Sequence, residues 1–189
     1  IKFVRSAASL TGSMLNMTTM AEICGKNVKT VKSWLSVLES SGLVFLLEPY
    51  HNNFNKRLLK TPKLYFLDTG LACWLLGWNT PEQLVRGAMW GHIFESFVFA
   101  EILKSYYNDG LVKPPLYYYR DHDKNEIDLL ISEGDMLYPV EVKTTSDPKK
   151  SMIQAFRCLE KIPAKKIGTG AVICLARERL PLTDKVWIL

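Results

Sequence analysis

Apolar residues recur at helical spacing through much of the first half of the chain and alternate with polar ones in much of the second. Over residues 1–12, Phe3, Val4, Ala7, Ala8 and Leu10 fall on one side of a helix that Gly12 ends. Residues 13–17 are expected as a connector. Thr18 or Thr19, with Glu22 at capping-box spacing, opens a brief helical segment over 20–24 that stops at Gly25. Asn27 then caps a longer helix, 28–40, with Val31, Trp34, Leu35 and Leu38 on its apolar side and Gly42 closing it. Residues 43–47 (LVFLL) and 62–67 (PKLYFL) are two strands separated by a polar, basic loop over 49–60. Asp68 caps a further helix, 71–77, and 78–89 is a linker or short helix around Pro81. A boundary near residue 80 divides the chain into domains 1–80 and 81–189.

The second half opens with an amphipathic helix, 90–107, whose apolar face is Ile93, Phe94, Phe97, Val98, Ala100 and Ile102. An extended run, 116–120, leads through a polar turn into two strands. In the first, Ile127, Leu129 and Ile131 alternate with Asp128 and Leu130. In the second, Val140 and Val142 alternate with Glu141 and Lys143. Residues two apart on a strand share a face. Glu133-Gly134-Asp135 between the runs is a hairpin turn. Asp147, followed by Pro148, is expected to cap a helix over 149–161, and 171–175 and 186–189 are strands. The order is helix, three strands, helix, strand.

With 189 residues, 48% of them hydrophobic, the chain can build one large core or two small ones. No apolar run approaches the ~18–20 residues that span a bilayer, and no secretory signal is present. Cys24, Cys73, Cys158 and Cys174 are scattered among apolar residues with no CxxC, as expected of buried thiols in a cytoplasmic protein. The chain begins with Ile, which points to a fragment of a longer protein. The net charge of +5 permits a nucleic-acid partner without demanding one. Oligomerisation is left open.

Two constellations carry chemistry. A short helix, a glycine turn and a longer helix make a helix-turn-helix, and the two following strands add a wing. Lys29, Thr30, Lys32 and Ser33 on the longer helix suit phosphate contacts. So do His51, Asn52, Asn53, Asn55, Lys56 and Arg57 at the wing tip. The same architecture also serves protein–protein contacts. In the second half, Glu141 and Lys143 project together, and a hairpin brings Asp128 beside them. Two carboxylates and an ammonium on a mostly apolar hairpin are costly unless they serve each other or a cation.

Asp128 followed by Glu141-Val142-Lys143, in that element order, resembles the PD-(D/E)xK nuclease superfamily. The resemblance implies a winged helix-turn-helix followed by a restriction-endonuclease-like αβββαβ domain with a mixed sheet, an α/β chain overall. It implies Mg²⁺ or Mn²⁺ held by Asp128, Glu141, the Val142 carbonyl and Glu95 from the preceding helix. Lys143 would orient the attacking water, and Gln154 of the later helix would assist. The runs SLTGSMLNMTTMAEICGKNVKTVKSWLSVLESSGLVFLLEPY, KLYFLDTGLACWLLG, GHIFESFVFAEILK, YYYRDHDKNEIDLLI and PVEVKTT resemble the C-terminal region of a prokaryotic AAA-type ATPase family. ATP would then bind an N-terminal domain outside this chain, which contains no GxxxxGK[ST]. DNA and that ATPase domain are the implied partners.

Blander readings stand beside these. Glu141 and Lys143 can be an exposed same-face pair, which contributes little. A nuclease fold can persist as a non-catalytic interaction or regulatory module. Asp121, His122 and Asp123 resemble a metal cluster but also suit a solvated turn. Tyr117, Tyr118 and Tyr119 fit a core as well as a stacking platform. Trp34 and Trp90 are expected in the core, and His92 lies one turn from Glu95.

Overall fold

Asparagine side chains set where the early helices begin. The computed structural model describes residues 1–51 and 61–189. After α1 (Lys2–Ala8), the Asn16 carbonyl accepts the Thr19 N–H at 3.0 Å and opens α2 (Met17–Cys24). Neither Thr18 nor Thr19 caps that helix; both lie inside its first turn. Gly25, left-handed at φ 62°, ends it. Asn27 caps α3 (Val28–Ser40) through the Thr30 N–H, and Asp68 caps α4 (Thr69–Leu76) through the Leu71 N–H. Thr80 caps the short α5 (Pro81–Arg86), with Pro81 at the first helical position.

The chain packs as two units, one of residues 1–47 and 61–102, the other of 103–189 with the described part of 48–60. The first unit runs past residue 80 into α6 (Trp90–Asn108). Each unit is a mixture of helix and sheet.

In the first unit, β1 (Ser13–Met14), β2 (Val44–Leu47) and β3 (Lys63–Phe66) form an antiparallel sheet in the order β1-β3-β2. The central β3 is buried along its whole length. Leu64 and Phe66 join Met20, Val31, Leu35, Val44, Ala72 and Ile93 in one core, each large side chain contributing about 1.5–3 kcal/mol by leaving water. Trp34 stays 37% exposed and meets the Phe3 ring edge-on rather than entering the core. The start of α6 is fixed by polar contacts. Thr11 and Ser96 hydroxyls meet at 2.7 Å, and Thr11 Oγ1 also accepts the Phe66 N–H. Gly12, at φ 69°, passes so near His92 that a Cβ would lie 3.1 Å from its ring. The buried set on α6 includes Phe99 and Leu103, while Phe97, expected inside, is 49% exposed.

The second unit is a mixed sheet. Its strands are β4 (Leu116–Arg120), β5 (Glu126–Glu133), β6 (Met136–Val142), β7 (Lys166–Ile167), β8 (Gly170–Ile173), β9 (Leu180–Thr183) and β10 (Val186–Ile188). They lie in the order β4-β5-β6-β8-β10-β9, with β7 also on β6. β8 runs parallel to both β6 and β10, β7 runs parallel to β6, and the other pairs are antiparallel. Beyond β4, Tyr50 donates to the Tyr118 carbonyl and Tyr118 to the Glu48 carbonyl. β7 and β9 were not expected. β7 has two residues, and Pro181 disguises β9, which lies on the sheet edge where proline is tolerated.

The helix expected over 149–161 is a 3₁₀ helix, Lys150–Lys161, with a break at Ile153. It opens after Lys149 with no side-chain cap, so Asp147 does not play that part. Three residues per turn stack Phe156 and Leu159 on one face, and Ile153 at the break packs beside them. That face packs on Ile127, Leu130, Leu137, Val172 and Ile188.

Candidate functional site

An irregularity in β5 prepares the site. Tyr117 pairs with Leu130 and Tyr119 with Ile127, so Tyr118 alone faces both Asp128 and Leu129. This two-against-one pairing is a β-bulge, which re-aims the side chains beside it. Strict alternation is broken: Ile127 and Leu130, three apart, enter the same core. Across the hairpin, pairing of β5 with β6 runs from Glu133–Met136 to Leu129–Val140. Just beyond, the Val142 N–H donates to Asp128 Oδ2 at 2.9 Å.

The three side chains that the hairpin was expected to gather do meet. Lys143 Nζ lies 2.5 Å from Glu141 Oε1 and 3.4 Å from Asp128 Oδ2. The side chains of Glu141 and Asp128 are 8% and 13% exposed, that of Lys143 36%. The reading of Glu141 and Lys143 as a fully exposed pair does not hold for Glu141, which lies on an interior strand opposite Val172 of β8. Burial pulls the Lys143 ammonium down, but the Asp128 and Glu141 carboxylates more than offset it, and its pKa is raised.

The other expected residues have contacts or surroundings of their own. Glu95 accepts from Lys63 Nζ at 3.1 Å and from the Tyr65 hydroxyl at 2.6 Å, within the first unit. Gln154 lines a cleft beside the 3₁₀ helix whose lining includes none of Asp128, Glu141 and Lys143. Among the described residues, no three His, Cys, Asp or Glu side chains gather at metal-binding spacing. Asp121 is occupied by its own turn, accepting the Asn125 main-chain and side-chain N–H groups at 2.9 Å. His122 and Asp123 pair at the surface. Tyr118 and Tyr119 are buried and Tyr117 half-buried. All four cysteines are free thiols, only Cys174 fully buried.

On α3, Lys29, Lys32 and Ser33 are exposed, while Thr30 is half-buried and serves the Asn27 cap. His51 is exposed. Asn52, Asn53, Asn55, Lys56 and Arg57 lie outside the described residues. No helix among the described residues is long and apolar enough to cross a membrane.

A model described as a domain of unknown function (DUF8612) matches residues 1–82, and a second such model (DUF4143) matches residues 90–189. Uncharacterized proteins of Mycobacterium bovis and Mycobacterium tuberculosis are each 32% identical over 160 residues, which is 83% of this chain and 34% of theirs. The chain thus spans about a third of the curated relatives it matches. No solved structure matches it. The second model covers more than half of the sequence, and the chain belongs to the DUF4143 family of domains of unknown function.

Proposed function

We propose that the chain is the C-terminal part of a AAA-type ATPase, that it binds DNA, and that its second unit holds a divalent cation for phosphodiester cleavage. The observation that carries this is the single ammonium of Lys143 held between two carboxylates on neighbouring strands at a bulge. Such a half-buried triad is a poor source of stability, since apolar residues of the same volume serve as well or better. Its donors fit a hard cation. Asp128 and Glu141 offer carboxylate oxygens within reach of one ammonium. Val142, whose N–H faces Asp128, turns its carbonyl to the same side. A bound Mg²⁺ or Mn²⁺ would supply charge stabilisation at a phosphate and a more acidic water. Lys143, the most exposed of the three, would move off Glu141 and set that water against the phosphorus.

DNA binding is supported by α2, the Gly25 turn and α3, followed by β2 and β3, the order of a winged helix-turn-helix. Lys29, Lys32 and Ser33 would meet phosphates, with Lys56 and Arg57 of the following loop added from the sequence. ATP would be bound by the domain that the AAA-type resemblance implies.

A second reading has its own observation. Lys143 already answers both carboxylates, as a purely structural triad would, in a non-catalytic module of nuclease type. Incubating the chain with duplex, forked and four-way DNA in Mn²⁺ separates the two. Cutting that disappears in Glu141→Gln supports the nuclease. Salt-sensitive binding without cutting on any substrate, in the full-length protein with ATP as well, supports the module.

A further inference from the structure

A cleft of about 290 Å³ lies in the second unit between the 3₁₀ helix and the turn joining β9 to β10. Its floor includes Phe156, Ile153 and Pro139. The 3₁₀ period places Gln154, Arg157 and Glu160 one turn apart along the rim, next to the buried row that contains Phe156. Lys150 stands at the start of the same helix, and Lys185 comes from the β9–β10 turn opposite. Among the described residues, Lys150, Arg157 and Lys185 form no ion pair. Three uncommitted cations therefore face one carboxylate, Glu160, around an apolar floor.

That composition selects its ligand. An inorganic anion would leave the apolar floor unused, and a neutral apolar molecule would leave the cations unused. The volume, near the lower end of the ~300–1,000 Å³ of small-molecule sites, takes one ring system and one anionic group, and Gln154 can both donate to and accept from a ring edge. We propose that this cleft binds a nucleoside monophosphate. Its base rests on the floor and its phosphate lies among Lys150, Arg157 and Lys185. The ligand can be a free nucleotide or the 5′-phosphorylated end of a nucleic-acid strand; the chemistry recognised is the same. The site does not rest on the metal reading, because none of Asp128, Glu141 and Lys143 lines it.

Calorimetric titration of the 189-residue chain with AMP, adenosine and inorganic phosphate tests this. AMP should bind about tenfold or more tighter than either part alone, and Arg157→Ala and Lys185→Ala should each weaken AMP by about tenfold. Both residues are exposed, so an unchanged Tm verifies that the variants fold. Asp128→Asn should leave AMP binding unaltered, which keeps this test separate from that of the metal site. A 5′-phosphorylated tetranucleotide that binds tighter than AMP identifies a strand end, and one that binds more weakly identifies the free nucleotide. AMP binding no tighter than phosphate, or indifferent to both cation variants, overturns the proposal.

Discussion

The Asp128 carboxylate receives the Val142 N–H at 2.9 Å, a side chain taking the part of a ladder partner where the pairing of β5 and β6 stops. The same oxygen faces Lys143 Nζ at 3.4 Å. Asp128 thus joins strand geometry to charge, and substitutions can separate the two. Asp128→Asn keeps an acceptor for Val142 and should cost less than about 1 kcal/mol. Asp128→Ala leaves that N–H unanswered and should cost about 1–3 kcal/mol. Urea denaturation of the two variants measures the difference, and equal costs would show that the bond contributes nothing.

Lys143→Met should remove the ammonium that Asp128 and Glu141 share. Breaking a fully buried pair costs about 3–5 kcal/mol; with Lys143 still partly in water, about 1–3 kcal/mol is expected. In the parent chain the Lys143 pKa is raised above its ordinary 10.5. Its contribution is complete below the unfolded value and is lost as pH rises through the folded one. Melting curves between pH 9 and 12 should show a larger alkaline loss in the parent chain than in Lys143→Met.

Tyr119 is pushed up to about 12, first by burial and then by Asp121 and Cys158. Tyr106 is also raised to about 12, by burial and its bond to Glu133. For an acid raised in the folded state, the neutral form belongs to the fold. Stability is whole below the ordinary value of 10 and declines as pH rises toward 12. Absorbance at the tyrosinate band should show late-titrating groups, with one step lost in Tyr119→Phe and another in Tyr106→Phe.

Gly168 follows β7, and any Cβ there would enter the Tyr138 ring. Gly168→Ala should destabilise by about 1–3 kcal/mol through overpacking. Tyr138→Ala should relieve most of that penalty in the double variant, a coupling that a thermodynamic cycle reads directly.

Much of this structure was legible in the sequence. Asn27, Asp68 and Gly25 marked helix ends because a cap or a left-handed turn needs those residue types locally. The turn Glu133-Gly134-Asp135 fixed the hairpin that brings Asp128 to Glu141 and Lys143. The bulge was hidden, because one extra residue leaves a plausible alternation behind it: Ile127, Leu129 and Ile131 look like one face, whereas Ile127 and Leu130 share the core. The 3₁₀ helix was hidden for a related reason, since apolar residues three apart also satisfy an α-helix. Its period of three groups Gln154 with Arg157, in a cleft that three cations surround. Nothing local foretold the partners of Glu95, because Lys63 and Tyr65 reach it from a strand some thirty positions away.

On the proposed reading, Asp128 and Glu141 are ligands and not merely partners of Lys143. Calorimetric titration of Mn²⁺ into the chain, beside Asp128→Asn and Glu141→Gln, tests it most directly, with the fold of each variant checked by its melting curve. The account predicts one site in the parent chain, with or without DNA, abolished in both folded variants. No binding at millimolar Mn²⁺ even with DNA present, or a site that both variants retain, would contradict it.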